Sequence, residues 1–128
     1  MTRLVLVVMV AFASCLALDA ISAPDDFFEL QDRFSAAVLK GDAAAVRALS
    51  VESEATRVWE AVQSRQLDKA KSIYARHVAY SGASPLTGYY DLTARMVDGA
   101  SVPFRVDLFN AGTDPRSGWK IQAIKYDQ

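Results

Sequence analysis

The sequence predicts an α+β fold, with N-terminal helices packed on one face of a C-terminal antiparallel meander of three to four strands. Three observations carry this. Apolar residues recur at helical spacing from Phe27 onward. After Gly88 the apolar period falls to two, the pattern of strands that bury one face. Between these halves, residues 81–88 hold Gly82, Pro85 and Gly88 among serines, the chemistry of a loop.

The first 23 residues stand outside this pattern. Arg3 precedes an apolar run over 4–18, and Ser22 and Ala23 follow it. A positive start, a short apolar middle and small residues near a cut predict a signal peptide over 1–23 and a single α+β domain over 24–128. The run holds 15 residues, whereas a membrane-crossing helix needs about 20. Cys15 follows Phe12, Ala13 and Ser14, which resembles a bacterial lipobox and would make Cys15 a lipidated N-terminus. The chain is therefore expected to be exported, periplasmic or secreted, with membrane attachment only through its N-terminal segment or Cys15. With residues 1–23 removed, no cysteine remains to form a disulfide, a thiolate nucleophile or a Cys-based metal site.

Phe27, Leu30, Phe34, Ala37 and Val38 form one side of a first helix, with Asp25 and Asp26 as its caps. Gly41 ends it and Asp42 caps a short alanine-rich helix over 43–49. A third helix opens at Ser50 or Ser53 and aligns Ala55, Val58, Trp59 and Val62. Its register slips near 64–66, then resumes through Leu67, Ala70, Ile73 and Tyr74, predicting helix to about Arg76. Residues 77–80 read as a short strand or the frayed end of that helix.

In the second half Tyr90, Leu92, Ala94 and Met96 alternate with polar residues, as do Val102, Phe104, Val106 and Leu108. Opposed residues share a face, so their numbers must sum to an even value. This selects a three-residue loop, Val97, Asp98 and Gly99, with Gly99 left-handed. Leu92 then faces Phe104, and Ala94 faces Val102. Residues 111–118 form a longer exposed connection. Trp119, Ile121 and Ala123 point to the core from a last strand, with a bulge near Ile124.

The sequence Lys40-Gly41-Asp42 after a first helix, the short alanine-rich helix and a closing Gly118-Trp119-Lys120-Ile121 together resemble the SnoaL-like or ketosteroid-isomerase-like superfamily, also named after nuclear transport factor two. The resemblance implies a cone in which a curved sheet wraps a long helix around a pocket. It implies an isomerase, a hydratase or a non-catalytic binding module, since one fold carries many functions. The superfamily has more strand than this reading finds, and often places a strand within 50–76.

The chain carries 14 Lys or Arg against 15 Asp or Glu, and residues 1–23 remove one of each. That balance argues against a nucleic-acid partner. No Gly-rich phosphate loop, Gly-x-Ser-x-Gly elbow or His-Glu-x-x-His occurs. His77 is the sole histidine, which excludes a His-rich metal site, and no cofactor is implied. His77, Asp91 and Asp107 are the candidate catalytic residues. Asp91 and Asp107 fall near one another on the polar face of adjacent strands. They would form an acid/base pair with one pKa raised, or be neutralised by Arg95 and Arg105 on a solvated face.

An isomerase would also need a Tyr hydroxyl in an apolar pocket, yet every strand carboxylate falls on the polar phase. Tyr89, Tyr90, Phe109, Arg95 and Arg105 are the candidate binding residues. Tyr89 and Phe109, with Pro103, would form an exposed aromatic strip suited to a partner or a homodimer. The leading expectation is an exported, non-catalytic domain that binds a small apolar ligand or a protein partner through its sheet. The alternatives are a small cone-type enzyme and a lipid-anchored envelope protein.

Overall fold

A computed structural model describes residues 25–126. The signal peptide expected over 1–23, and Cys15 within it, lie outside the described residues. Three helices come first: α1 (Asp25–Leu39), α2 (Ala43–Ala48) and α3 (Ala55–Ser64). Four strands follow: β1 (Ala70–Tyr80), β2 (Leu86–Met96), β3 (Ser101–Asn110) and β4 (Trp119–Tyr126). They form one antiparallel sheet in the order β1-β2-β3-β4, with the helices on one face. This is the α+β architecture the sequence predicts.

The helix boundaries follow local chemistry. Gly41 takes φ +68°, and the Asp42 N–H reaches back to the Ala37 carbonyl at 2.9 Å, closing α1 in a Schellman turn. The Asp42 carboxylate accepts the Ala45 N–H at 3.1 Å and starts α2. Asp26 acts differently from the expected cap. Its Oδ2 accepts the N–H groups of Gly118 and Trp119 at 3.0 and 3.2 Å, tying the first turn of α1 to the start of β4. Ser50 does not open α3. Its hydroxyl donates to the Val46 carbonyl at 2.8 Å, and a 3-10 turn at Glu52–Glu54 precedes α3.

Residues 49–51 instead run beside β4. The Val51 N–H donates to Ile121 O at 2.8 Å, and the Ile121 N–H donates to Leu49 O at 2.9 Å. The outer edge of β4 is thereby partly closed.

The stretch predicted as helix to Arg76 is a 3-10 turn at Leu67–Lys69 followed by β1. Gln66, at φ 56°, redirects the chain. The misreading has a physical cause. The pairing with β2 shifts between Ala70 and Ser72 and again between Ala75 and His77, so Lys71 and Arg76 are bulged. Ala70, Ile73, Ala75, Val78 and Tyr80 consequently pair with the core-facing positions of β2. Their spacing of three, two, three and two hides period two and imitates a helix.

The β2–β3 register is the one parity selects: Leu92 opposes Phe104 and Ala94 opposes Val102. Gly99 has φ +91°, and the Met96 N–H donates to Ala100 O at 2.8 Å across the three-residue loop. In β4 the bulge falls at Gln122, because Leu108 opposes Ile121 while Asp107 opposes Ala123. Ala123 therefore sits on the polar face, contrary to expectation, and Ile124 and Tyr126 pack toward the core. The 111–118 connection is largely exposed, and the buried Asn110 side chain holds it from within. Asn110 Nδ2 donates to the carbonyls of Asp114 and Ser117 at 3.0 and 2.7 Å, and Oδ1 accepts the Gly112 N–H at 2.8 Å.

Phe27, Phe34, Val38, Val58, Val62, Tyr90, Leu92, Phe104 and Ile121 fill the space between helices and sheet. Phe27 packs at about 5 Å between ring centroids against Tyr80, Tyr90 and Trp119. The Tyr90 hydroxyl donates to the Phe27 carbonyl, and the Tyr126 hydroxyl donates to the Ala61 carbonyl. No described helix is long and apolar enough to cross a membrane.

Two predictions concern this core. A Cβ at Gly88 would lie 2.7 Å from Phe27 Cε1 and 2.9 Å from the Ala79 carbonyl oxygen. Gly88→Ala should lower stability by about 1–3 kcal/mol, read as a lower urea midpoint at unchanged m. Burial, then the charges of Asp26 and Asp32, push the Tyr90 phenol pKa up, and burial also raises that of Tyr126. Raised folded pKa values give stability that is full below the unfolded Tyr pKa of about 10 and is lost as pH climbs above it. A thermal melt series from pH 8 to 11 should show this alkaline decline, and Tyr90→Phe should make it shallower.

Candidate functional site

The face of the sheet turned away from the helices carries the chemistry-bearing residues in cross-strand rows. His77, Asp91, Arg105 and Lys125 form one row; Ala79, Tyr89, Asp107 and Ala123 form the next; Thr87, Phe109 and Lys120 form a third. Period two in β2 and β3 places these side chains together. The second bulge of β1 sets His77 opposite Asp91.

Asp91 and Arg105 form a two-point ion pair. Arg105 Nε donates to Oδ1 at 2.7 Å and an Nη donates to Oδ2 at 3.0 Å. The guanidinium carbon lies 3.9 Å from the centre of the Tyr89 ring, a cation–π contact. The Tyr89 hydroxyl lies 3.4 Å from His77 Nδ1, at the long end of hydrogen bonding. Asp107 is paired separately with Lys125 at 2.9 Å. A bulged Arg76 reaches the Leu92 carbonyl at 3.4 Å.

These partners decide the chemistry of the carboxylates. The hydrogen bonds from Arg105 hold the Asp91 pKa below the usual carboxylate value, against a smaller upward effect of burial, with the charges of Arg105, Arg76 and His77 adding to the lowering. Asp91 and Asp107 each face a cation rather than sharing a proton. The raised pKa expected of an acid/base pair is absent at Asp91. The Asp91 carboxylate is built to accept hydrogen bonds and to fix Arg105 in place.

The remaining candidates separate. Tyr90 is fully buried with its hydroxyl engaged by Phe27, so it belongs to the core rather than to a surface. Arg95 is exposed at the far end of the face, opposite Ser101. Tyr89 and Phe109 are both half-buried but do not make one strip, because Arg105 and Asp107 stand between Pro103 and Phe109 along β3.

Each aromatic residue instead borders its own concavity. Tyr89, Thr87, Ala79, Asp107 and Gln122 line a shallow dish of about 420 Å³. Phe109 lies in a wider groove of about 820 Å³ between the sheet and α2. Sequence reasoning missed Gln122, Thr87 and Ala79. Gln122 reaches the dish because it is the bulged residue of β4, and strand alternation gives no sign of that.

The buried polar residues among those described are Ser50 and Asn110, on the helix side or at its rim, and Thr93, which alternation places on the open face opposite Pro103. None is a carboxylate or a histidine. The interior therefore holds no described group able to take or give a proton near neutral pH.

The Asp91–Arg105 pair makes a prediction with a definite sign. A lowered folded pKa gives stability that is full above the unfolded Asp pKa of about 4 and is lost as pH falls through the folded value. Melting temperatures followed from pH 6 down to pH 2 should fall across that window. Asp91→Asn should flatten the part of the decline below about pH 4; an unchanged slope would show that the pair is too solvated to matter.

Comparison of the chain with protein-family models, with curated proteins and with solved structures finds no match.

Proposed function

We propose that this is an exported, non-catalytic binding module that engages a protein partner through the open face of its sheet, around Tyr89, Asp91, Arg105 and Asp107. The observation that carries the reading is the division of labour between the two faces. The helix-covered face is filled by large apolar side chains, whereas the open face holds ordered ion pairs, a stacked Tyr–Arg pair and the dish of about 420 Å³. An enzyme of the cone type would need an acid or base inside an apolar pocket. Here the carboxylates lie on the open face and are paired with cations.

Tyr and Arg are the residue types that most often dominate association energies. Arg105 is fixed by Asp91 before any partner arrives, so ordering it adds little entropic penalty on binding. The β1 strand also supports the resemblance to the SnoaL-like superfamily, since it lies in the stretch where that pattern holds a strand and the sequence reads as helix. Export rests on the three-part layout of residues 1–23.

The test is capture from the native cell envelope with the wild-type chain and with Tyr89→Ala and Arg105→Ala variants of matching melting temperature. A species retained by wild type should be lost, or weakened at least about tenfold, in both variants, the effect of truncating a central anchor. Equal retention by all three would remove the open face as the binding surface.

A further inference from the structure

A second concavity lies apart from the Tyr89 dish, and its residue set is of a different kind. Where 49–51 turn along β4, the exposed side of α2 faces the end of the sheet across a groove of about 820 Å³. Ala44 and Ala48, four residues apart on one side of α2, make one wall, and their small side chains leave the space open. Phe109 makes the aromatic part of the other wall and is half-buried. The volume is within the usual range for small-molecule sites, about 300–1,000 Å³.

The charges of the groove are not balanced. Arg47 and Lys120 line it against a single carboxylate, Glu52. Lys120 opposes Phe109 across the β3–β4 pair, and its Nζ is fixed 3.2 Å from the Ala48 carbonyl. Arg47 immediately precedes Ala48 in α2, and its guanidinium has no ion-pair or hydrogen-bond partner among the described residues. An Arg that is free, beside a fixed ammonium, can take both oxygens of a carboxylate. Ala44, Ala48 and Phe109 offer nothing to a polar body and suit an alkyl chain.

The geometry points to a binding site for a small aliphatic monocarboxylate in the α2–β4 groove, with its carboxylate on Arg47 and Lys120 and its chain against Ala44, Ala48 and Phe109. The site is independent of the association surface proposed above. Neither Arg47 nor Lys120 contributes to the Asp91–Arg105 pair or to the dish.

Decanoate tests this by backbone-amide NMR titration of the full chain, with decyltrimethylammonium as a probe of equal chain length and opposite charge. Decanoate should shift the amides of Ala44, Ala48, Phe109 and Lys120, and the cation should bind at least about tenfold more weakly. Arg47→Glu should weaken decanoate by at least about tenfold, whereas Lys71→Glu, the same charge change on β1, should leave it unaltered. Ala48→Trp should block the groove at unchanged melting temperature; if the indole lowers stability, Ala44→Leu provides the same steric test.

Three results would overturn the proposal. One is equal affinity for the two probes, and another is decanoate shifts centred on Tyr89 instead of α2. The third is broadening of the groove amides with protein concentration alone, which would make the groove a contact between copies of the chain.

Discussion

The structure depends on one junction, where the first turn of α1 meets one end of the sheet, at the close of β1 and the start of β4. An antiparallel meander with one apolar face cannot stand in water uncovered. Phe27 is the residue that seals it. Its ring is fully buried among Tyr80, Tyr90 and Trp119, and it reaches the backbone of β2 because Gly88 has no side chain to exclude it. The adjacent Asp26 binds the first amides of β4, and the Phe27 carbonyl accepts the Tyr90 hydroxyl. Three strands are thus held by two consecutive residues of one helix. Small movements of α1 would expose apolar surface on all of them together, and packed interiors resist such changes.

Much of this was legible in the sequence where local chemistry and side-chain alternation agreed. The Gly41–Asp42 corner and the Val97–Gly99 loop follow from residues whose backbone preferences leave few choices. The pairing of Leu92 with Phe104 followed from parity alone. β1 was hidden because its two bulges replace alternation by a spacing that imitates a helix. Its content of Ile73, Tyr74, Val78 and Tyr80 was the available signal, since β-branched and aromatic residues favour strands. At the open face, the Asp91–Arg105 pair was within reach of period-two reasoning. The approach of His77 to Tyr89 was not, because it depends on where the second bulge falls. The groove beside α2 depends on residues 49–51 returning along β4, a long-range pairing with no local signature.

The two faces of the sheet differ in how their polar groups are handled. The helix side takes apolar bulk and allows hydroxyls only where a carbonyl receives them, as at Tyr90 and Tyr126. On the open side the carboxylates Asp91 and Asp107 are each paired with a cation, and such pairs contribute modestly to stability but fix side-chain direction. Direction is what recognition needs. An Arg105 held by two oxygens and laid on a tyrosine ring presents one shape to whatever approaches.

The bulges of β1 have a consequence for how the chain meets other chains. A sheet ending in a straight, uncharged strand offers its free amides and carbonyls as a template for a further strand, the first step toward fibrous aggregation. In β1 the interruptions fall at Lys71 and Arg76, so the edge is bent and positively charged at both of them. A bent edge that carries charge disfavours the addition of a further strand.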